Sequence, residues 1–272
     1  MQNLKIFCLT MRPSDLNLIE KLGYIPVGLG NENFSENFFR DNTLDNISEK
    51  NRFYGEYTFH YWLWKNYLDK LDCDWVGFCQ YRKFFAVNNN HNFESDFEKL
   101  NHTVIKKIDD DAEYDCILGK KFSVTKFKFS KIIKNYLMEI LQNPSVIFNI
   151  KKRNLKFHFD LYHGKGNLDA AIKVLDDENK FDFNNFVNNQ TSFNPHNMFI
   201  CKTNILKNYY EIIFPWLEKC ENIFGFNDLK GYGIQRIYGF LAERFLSYWF
   251  TKNYKVKELH IIGQDLASYR NL

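Results

Sequence analysis

The chain has 272 residues, 45% of them apolar and 25% charged, an ordinary globular composition that can bury a core without disulfide or metal staples. A formal net charge of +3 is too weak to argue for nucleic acid. No apolar run approaches the ~20 residues of a membrane-spanning helix, and the N-terminus MQNLKIFCLTMRPSDL reads as a first strand rather than a signal peptide. The six cysteines are scattered with no CxxC pair, which suits small buried hydrophobes in a reducing, cytoplasmic setting.

Apolar runs and turn residues predict the elements in chain order. LKIFCLT (4–10) reads as a strand, followed by a helix from Ser14, a good N-cap, to near Gly23. IPVGLG (25–30) reads as a second strand, and 31–51 as an Asn-rich loop. FYGEYTFHYWLWKNYLDKL (53–71) has helical spacing, and DWVGFCQYR (74–82) reads as a strand with a basic exit. Residues 86–112 are charged and partly helical. DCILGKK (115–121) repeats the pattern of an apolar strand leaving into lysines. Residues 128–157 read as basic and helix-like, HFDLYHGKGN (158–167) as a loop, and 168–176 as a short helix. NMFICK (197–202) reads as a strand, 203–223 and 233–252 as helices, and VKELHII (256–262) as a last strand.

Strands alternating with helices imply an α/β fold with a mainly parallel central sheet flanked by helices. No repeat or linker divides the chain, so a single domain over 1–272 is expected, with a variable helical segment at about 122–157. In such sheets ligands bind beyond the carboxyl ends of the strands. That rule draws attention to Gln80, Tyr81, Arg82 and Lys83 after one strand, and to Lys120 and Lys121 after another. Cations there suit a diphosphate, or are simply solvated surface charge.

The block DNTLDNISEKNRFYGEYTFHYWLWKN (41–66) carries a resemblance. It resembles a family of bacterial capsular and exopolysaccharide glycosyltransferases catalogued as a domain of unknown function, of the DUF4422 type. The matching positions include Asp41, Asn42, Asp45, Asn46, Ser48, Lys50, Asn51, Glu56, Thr58, Trp62 and Asn66. DWVGFCQYRKFF resembles the family's strand ending in H-Y-R-R-Y-F, with Gln80 where His is usual. DCILGKK, FHFDLYH, TSFNPHNMFICK and IQRIYGFLAERFLSYWF continue the match collinearly, with Asn194 at a second usual His.

The resemblance implies a nucleotide-sugar-dependent transferase on a GT-A-like, Rossmann-type fold, cytoplasmic or peripheral at the inner membrane beside capsule assembly enzymes. The donor it points to is a UDP-sugar, with UDP-galactofuranose or its N-acetyl form as one version, and the acceptor an oligosaccharide or lipid-linked glycan. A non-catalytic nucleotide-sugar-binding protein of the same pathway is the alternative. Expected donor contacts are Asp45, Asn46, Lys50, Tyr81, Arg82, Lys120, Lys121, His158 and Asn197. For Asp45 and Asn46 the competing reading is a set of Asx turns that shapes the loop. Glu243, His163 and Asp160 are the expected catalytic groups, with Asp169 also weighed as a base. Glu243 in an apolar helix must be functional or paired with Arg236 or Arg244. Asp72-Cys73-Asp74 and Asp109–Asp111 precede their strands and so stand at the wrong end for an Asp-x-Asp metal site. Metal-independent transfer is therefore expected, with Mg²⁺ or Mn²⁺ the cofactor if a metal is used.

Overall fold

The computed structural model describes residues 2–87, 96–126, 149 and 152–270. In chain order its regular elements are β1 (Leu4–Thr10), α1 (Leu16–Lys21), β2 (Ile25–Gly28), β3 (Phe39–Arg40), α2 (Asn51–Tyr54), α3 (Tyr57–Asn66), β4 (Trp75–Gln80), β5 (Lys83–Ala86), α4 (Phe97–Thr103), β6 (Cys116–Gly119) and β7 (Phe122–Ser123). They continue with α5 (Leu155–His163), α6 (Asn167–Lys173), α7 (Asp177–Asn189), β8 (Ser192–Phe193), β9 (Phe199–Lys202), α8 (Thr203–Phe224), α9 (Tyr232–Gln235), α10 (Ile237–Asn253) and β10 (Val256–Gly263). Most of the expected variable segment at 122–157 lies outside the described residues. Among the described residues no helix is long and apolar enough to cross a membrane.

The chain divides into two compact units. One comprises residues 1–120, 196–211 and 250–272, the other residues 121–195 and 212–249. The first unit is built on an eight-stranded sheet. β3, β2, β1 and β4 pair in parallel, as do β6 and β10. The expectation of a mainly parallel sheet is corrected elsewhere. β5 pairs antiparallel with β4 and β10, and β9 antiparallel with β4 and β6, so the sheet is mixed. The reason is local. The apolar run after Asp74 turns back on itself at Tyr81-Arg82, with Gln80 opposite Lys83, so one predicted strand becomes a hairpin. β9 then takes the same edge of β4 over Trp75–Phe78.

The core of this unit is aromatic. Phe7 and Phe78 stack at 5.8 Å, Phe78 meets Phe199 at 5.1 Å, and Phe199 meets Phe250 at 5.0 Å. His60 is enclosed in the same core with its Nδ1 2.8 Å from the Tyr210 hydroxyl; burial lowers its pKa to about 3. The second unit packs Phe183, Trp216 and Phe245 together, with Trp216 and Phe245 centroids 5.1 Å apart.

Two helix expectations are corrected. HFDLYH is helical rather than a loop: Asn154 caps α5 by accepting from Phe157 N, and Leu155, Phe159 and His163 recur at four-residue spacing on its buried side. The expected helix 53–71 is interrupted at Gly55, whose φ of +60° and ψ of −131° end α2.

Candidate functional site

Strand direction gathers the polar residues of the first unit at one end of its sheet. β1, β2, β3, β4, β6 and β10 all end there, and β5 and β9 begin there. Phe78 and Leu118 both pair with Phe199, so β4 and β6 lie two strands apart, about 10 Å. The exits bearing Arg82 and Lys120 therefore open on the same side. Asp74 and Asp110 lie at the opposite, amino end. There Asp74 Oδ2 accepts from Asn3 N at 2.8 Å and Asp110 Oδ1 from Gln2 N at 3.1 Å. Both line an open hollow of about 650 Å³ with Cys73, Lys202 and Thr203. Among the described residues no three His, Cys, Asp or Glu side chains converge in a metal-binding group.

At the exit of β4, Tyr81 lies between two guanidinium groups. Arg12 sits 4.2 Å and Arg82 4.7 Å from its ring centre. The two arginines differ in their partners. Arg12 Nε donates to Asp15 Oδ2 at 3.0 Å and its Nη2 to Asp265 Oδ1 at 2.5 Å. Asp15 is fully buried, and also accepts from the Thr10 hydroxyl at 2.6 Å and from Arg270 Nη2 at 2.6 Å. Arg82 is exposed and lies within electrostatic reach of Asp265, whose carboxyl, despite desolvation, is held below its ordinary value by the Arg12 hydrogen bond and both arginines' charge. The turn itself is anchored by backbone, with Tyr81 O accepting from Leu266 N and Arg82 O from Gln264 N.

The DN-rich block is mostly scaffolding. Asn46 Oδ1 accepts from Ser48 N and Ser48 Oγ, an Asx turn. Asp45 is clamped by Asn66, whose Oδ1 accepts from Asp45 N and whose Nδ2 donates to Asp45 O, and Tyr61 reaches its carboxylate at 3.3 Å. Lys50 is half-buried at the end of a 3₁₀ turn, Ser48–Lys50. Deeper in, Asp41 is fully buried and Thr58 Oγ1 donates to it at 2.6 Å; burial raises its carboxyl pKa. Asn51 Nδ2 bonds Thr58 Oγ1 at 3.1 Å and Gly55 O at 3.2 Å. These bonds hold the Gly55 break, and the break delivers Glu56 to the end of β4.

Sequence reasoning missed what Glu56 meets there. Gln80 Nε2 donates to Glu56 Oε1 at 2.5 Å and to His196 O at 3.1 Å, and Lys83 Nζ stands 3.1 Å from His196 Nδ1. His196 and Asn197 hold φ of +82° and +52°, two successive non-glycine residues in left-handed backbone. Asn197, an expected donor contact, is buried beside them in the chain. The signal available in sequence was Gly55 inside a helical pattern and Pro195 before His196.

In the second unit a buried arginine joins two of the expected residues. Arg244 is 1% exposed and lies 3.7 Å over the Phe193 ring. Its Nη1 donates to Glu243 Oε2 and its Nη2 lies 3.3 Å from His158 Nδ1. Of the two partners weighed for Glu243, this contact is with Arg244. His163 donates Nδ1–H to Gly233 O at 2.8 Å and stacks on Phe240 at 4.0 Å. Burial first, then the charge of Arg244, lowers His158 to about 2 and His163 to about 3, so both are neutral rings and weak bases. Asp160 accepts from Lys156 at 3.2 Å and from Gly166 N at 3.1 Å, and Lys156 also binds Asp169 at 2.5 Å. That arrangement ties α5 to the start of α6. Lys121, which begins this unit, is exposed.

No curated protein sequence matches the chain. Among solved structures, the fold is similar to the apo structure of the bifunctional glycosyltransferase WbbM, with a TM-score of 0.58 and 24% identity over 96% of this chain and 45% of that one. This chain thus spans a little under half the length of that protein. Residues 5–254 match a family model described as a domain of unknown function, DUF4422, and with nearly its whole length inside that match the chain belongs to this family.

Proposed function

We propose that this chain is a glycosyltransferase that moves a sugar from a nucleoside-diphosphate donor, a UDP-hexose or UDP-hexosamine, to a growing surface glycan on the cytoplasmic side of the membrane. The furanose form of galactose, or its N-acetyl derivative, is one version of that donor. The observation that carries the reading is the exposed Arg82 guanidinium stacked on Tyr81 at the carboxyl end of β4, with the exit of Lys120 on the same side of the sheet. Likeness in fold to a protein named as a glycosyltransferase supports it.

The chemistry follows from charge. As the bond from the anomeric carbon to the diphosphate oxygen breaks, the electron pair leaves with the diphosphate. A fixed guanidinium stabilises that growing charge more in the transition state than in the ground state. The residues at this exit are an amide, a phenol and a guanidinium, a set that does not fit a divalent cation, and Arg82 takes the phosphate oxygens itself. The acceptor hydroxyl loses its proton to a carboxylate, a role proposed for Glu243, which accepts a hydrogen bond from Arg244 Nη1. Asp45, Asn46, Lys50, Lys121, His158 and Asn197 remain proposed donor contacts. His163 and Asp160 are bound within α5 and its neighbours and serve to hold that helix.

The test is nucleoside-diphosphate release from a panel of UDP-sugars, with and without glycan acceptor. Slow release without acceptor, accelerated by the right acceptor, is expected. Tight binding of a UDP-sugar with no release under any condition would favour the non-catalytic binding protein, and no binding of any UDP-sugar would overturn both readings.

A further inference from the structure

After β10 the chain lies along the Tyr81-Arg82 turn. Gln264 N donates to Arg82 O at 3.0 Å and Leu266 N to Tyr81 O at 3.1 Å, so Asp265 between them is set against that turn. Asp265 Oδ1 accepts from Arg12 Nη2 at 2.5 Å and from Ala267 N at 2.9 Å, the second bond capping a 3₁₀ turn, Leu266–Tyr269. Just beyond that turn, Arg270 Nη2 donates to the buried Asp15 at 2.6 Å. The segment 264–270 thus brings one carboxylate and one cation to the exit of β4.

The charges gathered there are three guanidinium groups, Arg12, Arg82 and Arg270, and two carboxylates, Asp15 and Asp265. The two carboxylates do different work. Asp15 is fully buried between Arg12 and Arg270, and is a centre of the packing. Asp265 is 38% exposed and pairs with Arg12 alone. Desolvation would raise its carboxyl, but the hydrogen bonds from Arg12 and Ala267 N and the charges of Arg12 and Arg82 hold it below its ordinary value, so it is an anion at neutral pH. Its two hydrogen bonds do not need that charge, because an amide oxygen would accept both. What the charge alone does is lower the positive potential at Arg82. That works against binding a diphosphate, since like charges repel. It helps once the bond to the sugar has broken. The leaving nucleoside diphosphate carries more negative charge than it did as a sugar ester, so the arginines hold it harder, and the next turnover waits for it to leave.

We propose that Asp265 is the counter-charge of the diphosphate site: by opposing Arg12 and Arg82 it weakens their hold on the nucleoside diphosphate product and so lets the product go. The proposal rests on the transferase reading. Its test is calorimetric binding of UDP to the wild type, Asp265→Asn, Asp265→Glu, and Asp265→Asn combined with Arg82→Gln, with circular dichroism to check the fold. Asp265→Asn keeps an oxygen for Arg12 and Ala267 but loses the charge, and should bind UDP about threefold more tightly than the wild type, the scale of one exposed charge pair. Damage to the site would do the reverse. The gain should largely vanish in ~1 M salt, where exposed charges are screened. It should shrink when Arg82 is also replaced, and Asp265→Glu should return the affinity to that of the wild type. Inhibition of turnover by added UDP should strengthen in Asp265→Asn by the same factor. If the wild type binds UDP and Asp265→Asn binds it equally or more weakly, Asp265 is a structural cap, and the proposal is overturned while the transferase reading stands. A gain that survives high salt would overturn it as well, because it would come from altered contacts. If the wild type binds neither UDP nor any UDP-sugar, the transferase reading falls and takes the counter-charge with it. Should Asp265→Asn fail to fold, Asp265→Ser, which keeps a hydroxyl as the cap, carries the same comparison.

Discussion

Arg244 Nη2 lies 3.3 Å from His158 Nδ1, and the contact decides which nitrogen of His158 carries its proton. A guanidinium can only donate, so Nδ1 accepts and the proton sits on Nε2. His163 is the opposite tautomer, because its Nδ1 faces the Gly233 carbonyl. Burial, reinforced by Arg244, puts His158 at about 2 and His163 at about 3, and burial alone puts His60 at about 3. In an unfolded chain these rings protonate near pH 6.5. Between those values the unfolded state binds more protons than the folded one, so stability is full above about pH 7 and is lost on acidification. At pH 5.5 each ring costs about 1.4 kcal/mol. Urea midpoints should therefore fall clearly from pH 7.5 to 5.5, while the imidazole nitrogen spectrum of the folded protein shows these three rings neutral at both values. Protonation of His158 in the folded state near pH 6 would refute the assignment.

The two arginines flanking Tyr81 should separate stability from turnover. Arg12 is a main partner of Asp15, which is fully buried. Arg12→Met leaves that carboxylate with Arg270 and Thr10, and a broken buried pair costs about 3 kcal/mol. Arg82 is exposed, and its loss should change stability by less than about 0.5 kcal/mol. The barrier to transfer should instead rise by about 3 kcal/mol, as for removal of a preorganised donor. Arg82→Lys keeps the charge but loses the bidentate fork, so its rate should also fall. Denaturant melts and donor turnover on Arg12→Met, Arg82→Ala and Arg82→Lys are the check. Wild-type turnover by folded Arg82→Ala protein would rule out the diphosphate clamp.

Strands were legible because their signal is local. The apolar runs at Leu4–Thr10, Trp75–Gln80 and Phe199–Lys202 sit in the sheet where their composition indicates. What failed was also local in cause. The run from Asp74 to Arg82 contains no glycine or proline at its turn, so the Tyr81-Arg82 hairpin had no sequence marker. The helix Asp177–Asn189 has no counterpart among the expected elements: it is mostly polar, although Asp176 caps it and Phe183 and Val187 fall one turn apart on its buried face. The candidate site was half legible. Arg82 and Lys120 follow from the strand-exit rule, and the packing of Glu243 with Arg244 was one of two expected pairings. Glu56, Gln80 and His196 are up to 140 residues apart, and nothing short of the fold brings them together.

Gly55 offers the sharpest control on that cluster. Its φ of +60° and ψ of −131° lie where a Cβ is not tolerated, and Asn51 holds its carbonyl at 3.2 Å while Gly55 N donates to Asn51 O at 2.7 Å. Gly55→Ala must either keep this strain, at about 1–3 kcal/mol, or relax by moving the start of α3. Glu56 is the first residue to move, so its contact with Gln80 should lengthen. Gly23 is the comparison. It too has positive φ, +76°, just after α1, with open space where a Cβ would go. Gly23→Ala should lose about 1 kcal/mol, the ordinary penalty for a left-handed C-terminal residue, and nothing else. Thermal melts of both variants should fall. Only Gly55→Ala should also weaken UDP-sugar binding, because Gln80, which Glu56 holds, leads into the Tyr81-Arg82 turn where the diphosphate is proposed to bind. Equal binding by the two variants at equal loss of stability would mean that the Gly55 break shapes the helix alone and has no part in aiming Glu56.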